Sequence, residues 1–115
     1  MNEAMPAQPL PAARRLAGAL LMVSGITHVA QLFVYGHAGH VIGAAAFGLA
    51  YFLIGAWLLR PGRPALWFAT ILPTIGGILG VLRFLTLQPN PFSVFHVLID
   101  LVVVPIGIGL LIRRR

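Results

Sequence analysis

Four apolar runs of about 20 residues each, parted by breaks of only three to five residues, leave this chain very few ways to fold. A run of that length makes a helix that crosses the hydrocarbon core of a bilayer, and in lipid a helix satisfies its own backbone hydrogen bonds. The expected spans are residues 16–35, 39–59, 65–87 and 92–112. The breaks consist of residues that stop helices: Gly36-His37-Ala38, Arg60-Pro61-Gly62-Arg63-Pro64 and Gln88-Pro89-Asn90-Pro91. Connections this short oblige neighbouring helices to run in opposite directions. The expected fold is an all-α integral membrane protein, an up-down-up-down bundle of four antiparallel transmembrane helices. Residues 14–115 form its single domain, and residues 1–13, rich in Pro and Ala, form a flexible cytoplasmic arm. The first span is read as a retained helix, because it exceeds an ordinary signal-peptide h-region and no A-x-A-like site follows it.

Charge then sets the orientation. Of the 115 residues only 9% are charged and 59% are hydrophobic, against roughly 25% charged in soluble domains. The net charge of +6 comes entirely from arginine, and seven of the eight arginines flank apolar runs, which argues for membrane topology and against a nucleic-acid partner. Arg14, Arg15, Arg60, Arg63, Arg113, Arg114 and Arg115 all fall on one side of the expected bundle. The positive-inside rule makes that side cytoplasmic, with both termini there and the chain in a cytoplasmic (inner) membrane. Trp57 and Trp67 fall near the inner boundary, and Tyr35, Phe84, Phe92 and Phe95 near the outer one, as interfacial aromatic residues do. With no cysteine, the chain cannot build disulfides, zinc-thiolate sites or iron–sulfur clusters.

The two hairpins align with each other. Gly25 to Phe33 in the first span can be laid on Gly77 to Leu85 in the third, an offset of 52, and His40-Val41-Ile42 on His96-Val97-Leu98, an offset of 56. Duplicated hairpins of equal topology would make His40 and His96 counterparts, and likewise Gln31 and Arg83. Chance similarity among Gly, Ile, Leu and Val is the competing explanation.

Polar residues inside spans are expected to face the bundle interior, and their helical spacing permits this. Ser24, His28, Gln31 and Tyr35 share one face of the first helix. His40, Gly43, Ala44, Gly48 and Tyr51 form a stripe on the second, interrupted by Phe47. The third offers Gly76, Gly80 and Arg83, and the fourth Ser93, His96, Asp100 and Gly107. The glycines are read first as packing surfaces. Pro73 marks the expected kink or break in the third helix. Counting about 1.5 Å per residue from the outer ends puts His28, His40, Arg83, His96 and Asp100 all in the outer half. Asp100 is the one carboxylate within the spans, and Arg83 is its expected partner.

His28, Gln31, His40, Arg83, His96 and Asp100 are therefore the candidate ligand-binding residues of an outward-facing polar pocket. The leading function is binding, and by extension transport, of a small ligand or ion, with catalysis left open and a non-enzymatic role the first expectation. Arg83 would anchor an anion, and Asp100 or His28 would exchange a proton. The rival class is an accessory subunit of a larger membrane complex, in which the polar residues lock the helices and the outer surface docks a partner; a homodimer is a further expected assembly. A third class is a haem or metal carrier: His28 or His40 with His96 could ligate haem, and His28, His96 and Asp100 could hold a divalent metal. No cofactor is the first expectation. Ser24 with His28 and Ser93 with His96 have the spacing of a nucleophile and its base, but no oxyanion-hole motif accompanies them. Proton-coupled drug exporters of similar size carry an acidic residue in the first helix, where this chain has His28. The first hairpin, with Ser24-Gly25-Ile26-Thr27-His28 and a Gly-rich second helix ending Leu58-Leu59-Arg60, resembles the small DoxX-like membrane proteins. The likeness covers half the chain through apolar residues and assigns no site residue.

Overall fold

The computed structural model describes residues 10–86 and 91–113, apart from the side chains of His40 and Ser93. Four helices carry these residues: α1 (Ala12–Tyr35), α2 (Gly39–Leu58), α3 (Arg63–Thr86) and α4 (Pro91–Ile112). All four are long and apolar enough to cross a membrane, and the described residues contain no strand. The protein is an integral membrane protein built as a four-helix bundle. Its outside is hydrocarbon: Phe33, Leu53, Leu85, Leu101 and Ile112 are among the large apolar side chains left exposed. In water such a surface would drive aggregation, and in a bilayer it meets lipid tails.

α1 begins four residues earlier than the pattern of apolar residues suggests, so Ala12 and Ala13, expected in the arm, belong to the helix; residues 1–9 lie outside the described residues. Pro11 explains the start. Its fixed φ (−54°) suits a helix entrance, and its carbonyl accepts the first helical bond from the Arg15 amide at 3.1 Å. α1 ends at Gly36, whose φ of +81° is open to glycine and costly for a side chain. α3 is continuous through Pro73, so the expected break is absent: one lost backbone bond does not end a helix whose other turns are intact. The third break, at Gln88-Pro89-Asn90, lies outside the described residues.

Glycine contacts set the pairing of the helices. Gly18 lies against the Gly55 carbonyl and Gly25 against that of Gly48, so numbers rise along α1 as they fall along α2. In the second hairpin Thr70 lies against Gly107, and Gly77 against Asp100. Each contact of the second pair sits 52 positions after one of the first, Gly18 to Thr70 and Gly55 to Gly107, Gly25 to Gly77 and Gly48 to Asp100. Burial follows the same offset: Ala17 and Ala69, Leu21 and Pro73, Tyr51 and Val103, and Leu58 and Leu110 are all buried. One offset therefore serves both helices of the hairpin. The offset of 56 is corrected: position 96 answers to Ala44 rather than His40, while Gln31 and Arg83 keep their correspondence. The 56 alignment matched two histidines by identity, whereas contact geometry follows the small residues that let backbones approach.

Arg14 departs from the sequence reading. Expected at the lipid boundary, it is only 3% exposed. Its Nε donates to the Leu58 carbonyl at 2.8 Å and a terminal nitrogen donates to the Arg60 carbonyl at 2.5 Å, which closes the C-terminal end of α2. A cation there meets both orphan carbonyls and the negative end of the helix dipole. Arg63 does the same for α4, donating to the Leu111 carbonyl at 3.0 Å from an exposed position. Arg14, Arg60 and Arg63 thus gather at one end of the bundle, close to the exposed Trp57 and Trp67.

Candidate functional site

The polar residues of α1 and α4 meet across one seam. Ser24, His28 and Gln31 recur at helical spacing on the buried face of α1, and His96 and Asp100 lie one turn apart on that of α4. The His28 and His96 rings stack there, with centroids 3.5 Å apart and planes 11° from parallel. Hydrogen bonds orient each ring. His28 Nδ1 donates to the Ser24 carbonyl at 2.7 Å, with the Ser24 hydroxyl at 3.3 Å. His96 Nε2 lies 2.6 Å from Thr27 Oγ1. Because the Thr27 hydroxyl directs its own hydrogen to the Val23 and Ser24 carbonyls, at 3.1 and 3.0 Å, the network assigns the donor role to His96 Nε2. In the neutral form of each ring, His28 Nε2 and His96 Nδ1 carry the lone pairs.

A cavity of about 260 Å³ opens beside this pair, at the small end of ligand pockets. Gly43, Ala44, Phe47 and Tyr51 of α2 and Gly76, Leu79, Gly80 and Arg83 of α3 supply most of its wall. His28 of α1 and His96, Val97 and Asp100 of α4 close it behind. Toward the arginine end the seam between α2 and α3 is shut, because the Tyr51 hydroxyl packs onto Gly76 and Trp57 lies 5.7 Å from Phe68. The cavity thus occupies the half of the bundle remote from Arg14, Arg60 and Arg63. A second, apolar groove of about 450 Å³ runs between α3 and α4 from Pro73 and Pro105 and reaches Asp100 from the other side.

Four of the six expected site residues, His28, Arg83, His96 and Asp100, line the cavity. Gln31 is buried but is not among the lining residues, and its Oε1 has no hydrogen-bond partner. The side chain of His40 lies outside the described residues; its backbone starts α2. The expected Arg83–Asp100 pair does not form: among the described residues no ion pair is present, and Asp100 Oδ1 is buried without a partner. The register accounts for this. Gly77 facing Asp100 and Gly80 facing Val97 put Arg83 level with Val94, six residues and about 9 Å from Asp100 toward the N-terminal end of α4.

The stack bears on the metal and haem readings that use His28 with His96; the alternative haem pair, His40 with His96, involves a side chain outside the described residues. A metal lies in the plane of an imidazole that binds it, and one ion cannot lie in two parallel planes 3.5 Å apart. Among the described residues no three of His, Asp and Glu assemble as a metal-holding group, so His28, His96 and Asp100 do not form the expected set. Stacked face to face, His28 and His96 do not point nitrogens at opposite sides of one haem.

Sequence reasoning missed Thr27, Phe47 and Tyr51 as parts of the site. Thr27 is off the polar face of α1, and only the approach of α4 makes it the partner of His96. Phe47 and Tyr51 pack edge to face at 6.1 Å, and Tyr51 meets His28 the same way at 5.2 Å, so the bulky interruption of the small stripe is a wall of the cavity.

No protein-family model, curated protein or solved structure matches the chain.

Proposed function

We propose that this membrane protein binds a small ligand in the cavity between α2 and α3. The observation that carries the reading is Asp100, only 6% exposed, whose Oδ1 has no partner although the carboxylate borders the cavity. An unpaired buried carboxylate costs several kcal/mol, roughly, in a membrane interior, so a ligand that pairs with it gains correspondingly. Arg83, half-buried at the outer end, supplies fixed donors for an acceptor or anionic group of the same ligand. His28 and His96, fixed by Ser24 and Thr27, supply an aromatic back wall.

The arginine end is the cytoplasmic side in this reading, by the positive-inside rule, so the cavity faces the outer side of a cytoplasmic membrane. Both termini then lie in the cytoplasm. Transport requires a second opening toward the arginine end, where Tyr51 on Gly76 now closes the seam; binding requires none.

Native mass spectrometry of the protein released from its own membranes tests the binding. Wild-type protein is expected to carry a small molecule that the Gly43→Leu variant lacks, since Gly43 borders the cavity and a Cβ added there meets no other atom within 4 Å. Identical spectra for the two proteins, with no bound small molecule in either, would sink the reading.

A further inference from the structure

The offset of 52 that relates the two hairpins exposes a difference between their two seams. His28 on α1 corresponds to Gly80 on α3, and His96 on α4 to Ala44 on α2. At the seam between α1 and α4 the two imidazoles fill the space between the helices. At the corresponding place between α2 and α3 stand a glycine and an alanine, and both border the cavity. The cavity is thus the space that a second stacked ring pair would occupy.

We infer that the ligand is a planar nitrogen heterocycle, seated between α2 and α3 where its counterpart seam holds the His28–His96 stack. The inference rests on the cavity being a ligand site and adds the chemical class of its occupant. Three independent features agree on that class. The space is bounded on its helix sides by Gly80 and Ala44, whose small side chains leave room where the counterpart seam holds two rings. Four aromatic side chains, His28, Phe47, Tyr51 and His96, border it, and aromatic walls favour a flat aromatic guest by stacking and edge contacts. At its inner end lies the unpartnered carboxylate of Asp100, nine-tenths buried and an acceptor for a ring N–H. Arg83, about 9 Å farther out by helical rise, then meets an acidic or accepting substituent on the same ring. A saturated amine would pair with Asp100 and meet the ring faces through its charge alone, without the stacking area of a flat ring, and a simple anion would engage Arg83 alone.

Indole-3-acetate is a probe with the stated features, and cyclohexylacetate has the same acid on a ring that is neither flat nor a donor. Binding of each to the full-length protein in lipid nanodiscs, followed by calorimetry, decides the matter. Indole-3-acetate is expected to bind at least tenfold more tightly than cyclohexylacetate. That preference should be lost in Asp100→Leu, which removes the acceptor and leaves an apolar side chain that a membrane helix accommodates. Ala44→Phe, which puts a ring of its own at the cavity wall, should abolish binding of both. Helix content by circular dichroism confirms that each variant folds, and Asp100→Leu suffices if Ala44→Phe does not. Equal affinity for the two probes, lost in Ala44→Phe, overturns the planar heterocycle and leaves the cavity a binding site. Binding of neither probe also overturns it, and the cavity reading is then judged by its own mass-spectrometric result.

Discussion

The imidazoles of His28 and His96 lie face to face across the seam between α1 and α4, 3.5 Å between centroids, and each ring is held by a hydrogen bond to α1. This pair ties the second hairpin to the first through Thr27, whose hydroxyl serves its own helix and His96 at once. It also explains why only one of the two seams is open, because the corresponding positions on α2 and α3 carry no ring.

Thr27→Val keeps the shape of the side chain and removes the oxygen that His96 Nε2 meets. A buried ring nitrogen left without a partner should lower stability by about 1–3 kcal/mol. Thr27→Ser should restore most of the loss. Thermal unfolding in a fixed detergent would reveal it, and an unchanged midpoint for Thr27→Val would mean that this bond contributes nothing to the seam.

Arg14 and Arg63 make the same kind of cap at different depths, so their loss should differ. Arg14→Ala removes two bonds from a 3% exposed side chain and strands the Leu58 and Arg60 carbonyls, a cost of roughly 2–4 kcal/mol. Arg63→Ala removes one bond from an exposed side chain and should cost under about 1 kcal/mol. The order of the two midpoints is the measurement, and a larger effect at Arg63 would contradict the capping role given to Arg14.

Gly48 and Gly109 separate packing from helix propensity. A methyl on Gly48 would meet the His28 side chain and the Gly25 carbonyl, so Gly48→Ala should destabilise by about 1–3 kcal/mol and disturb the histidine stack. Gly109 has open space around it, and Gly109→Ala should be neutral or stabilising by up to about 1 kcal/mol. Equal behaviour of the two would show that α1 and α2 do not approach as closely as the contact requires.

Gln31 is 1% exposed and its Oε1 has no partner, which makes it a polar group buried at a cost. Gln31→Met, similar in volume and apolar, should raise the unfolding midpoint, with a gain of about 1 kcal/mol. A fall of that size would place an unseen partner on Oε1 and add Gln31 to the binding residues.

Orientation has a direct check. A C-terminal fluorescent protein should mature in the cytoplasm and a C-terminal alkaline phosphatase should stay inactive. The opposite result would put the cavity on the cytoplasmic side.

The apolar runs and their breaks determined the number of helices, their approximate ends and their alternation, because a bilayer permits only self-satisfied helices of about that length. Helical spacing likewise put Ser24, His28 and Gln31 on one face, and His96 with Asp100 on another, since 3.6 residues per turn is a local property of the chain. Which faces meet is not local. That Thr27 bonds His96, that Arg83 stands about two turns from Asp100 and does not pair with it, and that His96 answers to Ala44 all depend on the register between helices. Register is set by close contacts such as Gly25 on Gly48 and Gly77 on Asp100, and a glycine that packs looks the same in sequence as Gly43, which borders a void. The sequence by itself therefore determined a four-helix membrane protein whose polar span residues gather in the half remote from the arginine-flanked ends. Only tertiary packing decided that the polar residues close one seam with two rings and leave the other open, because a cavity is a property of facing surfaces and belongs to no single helix.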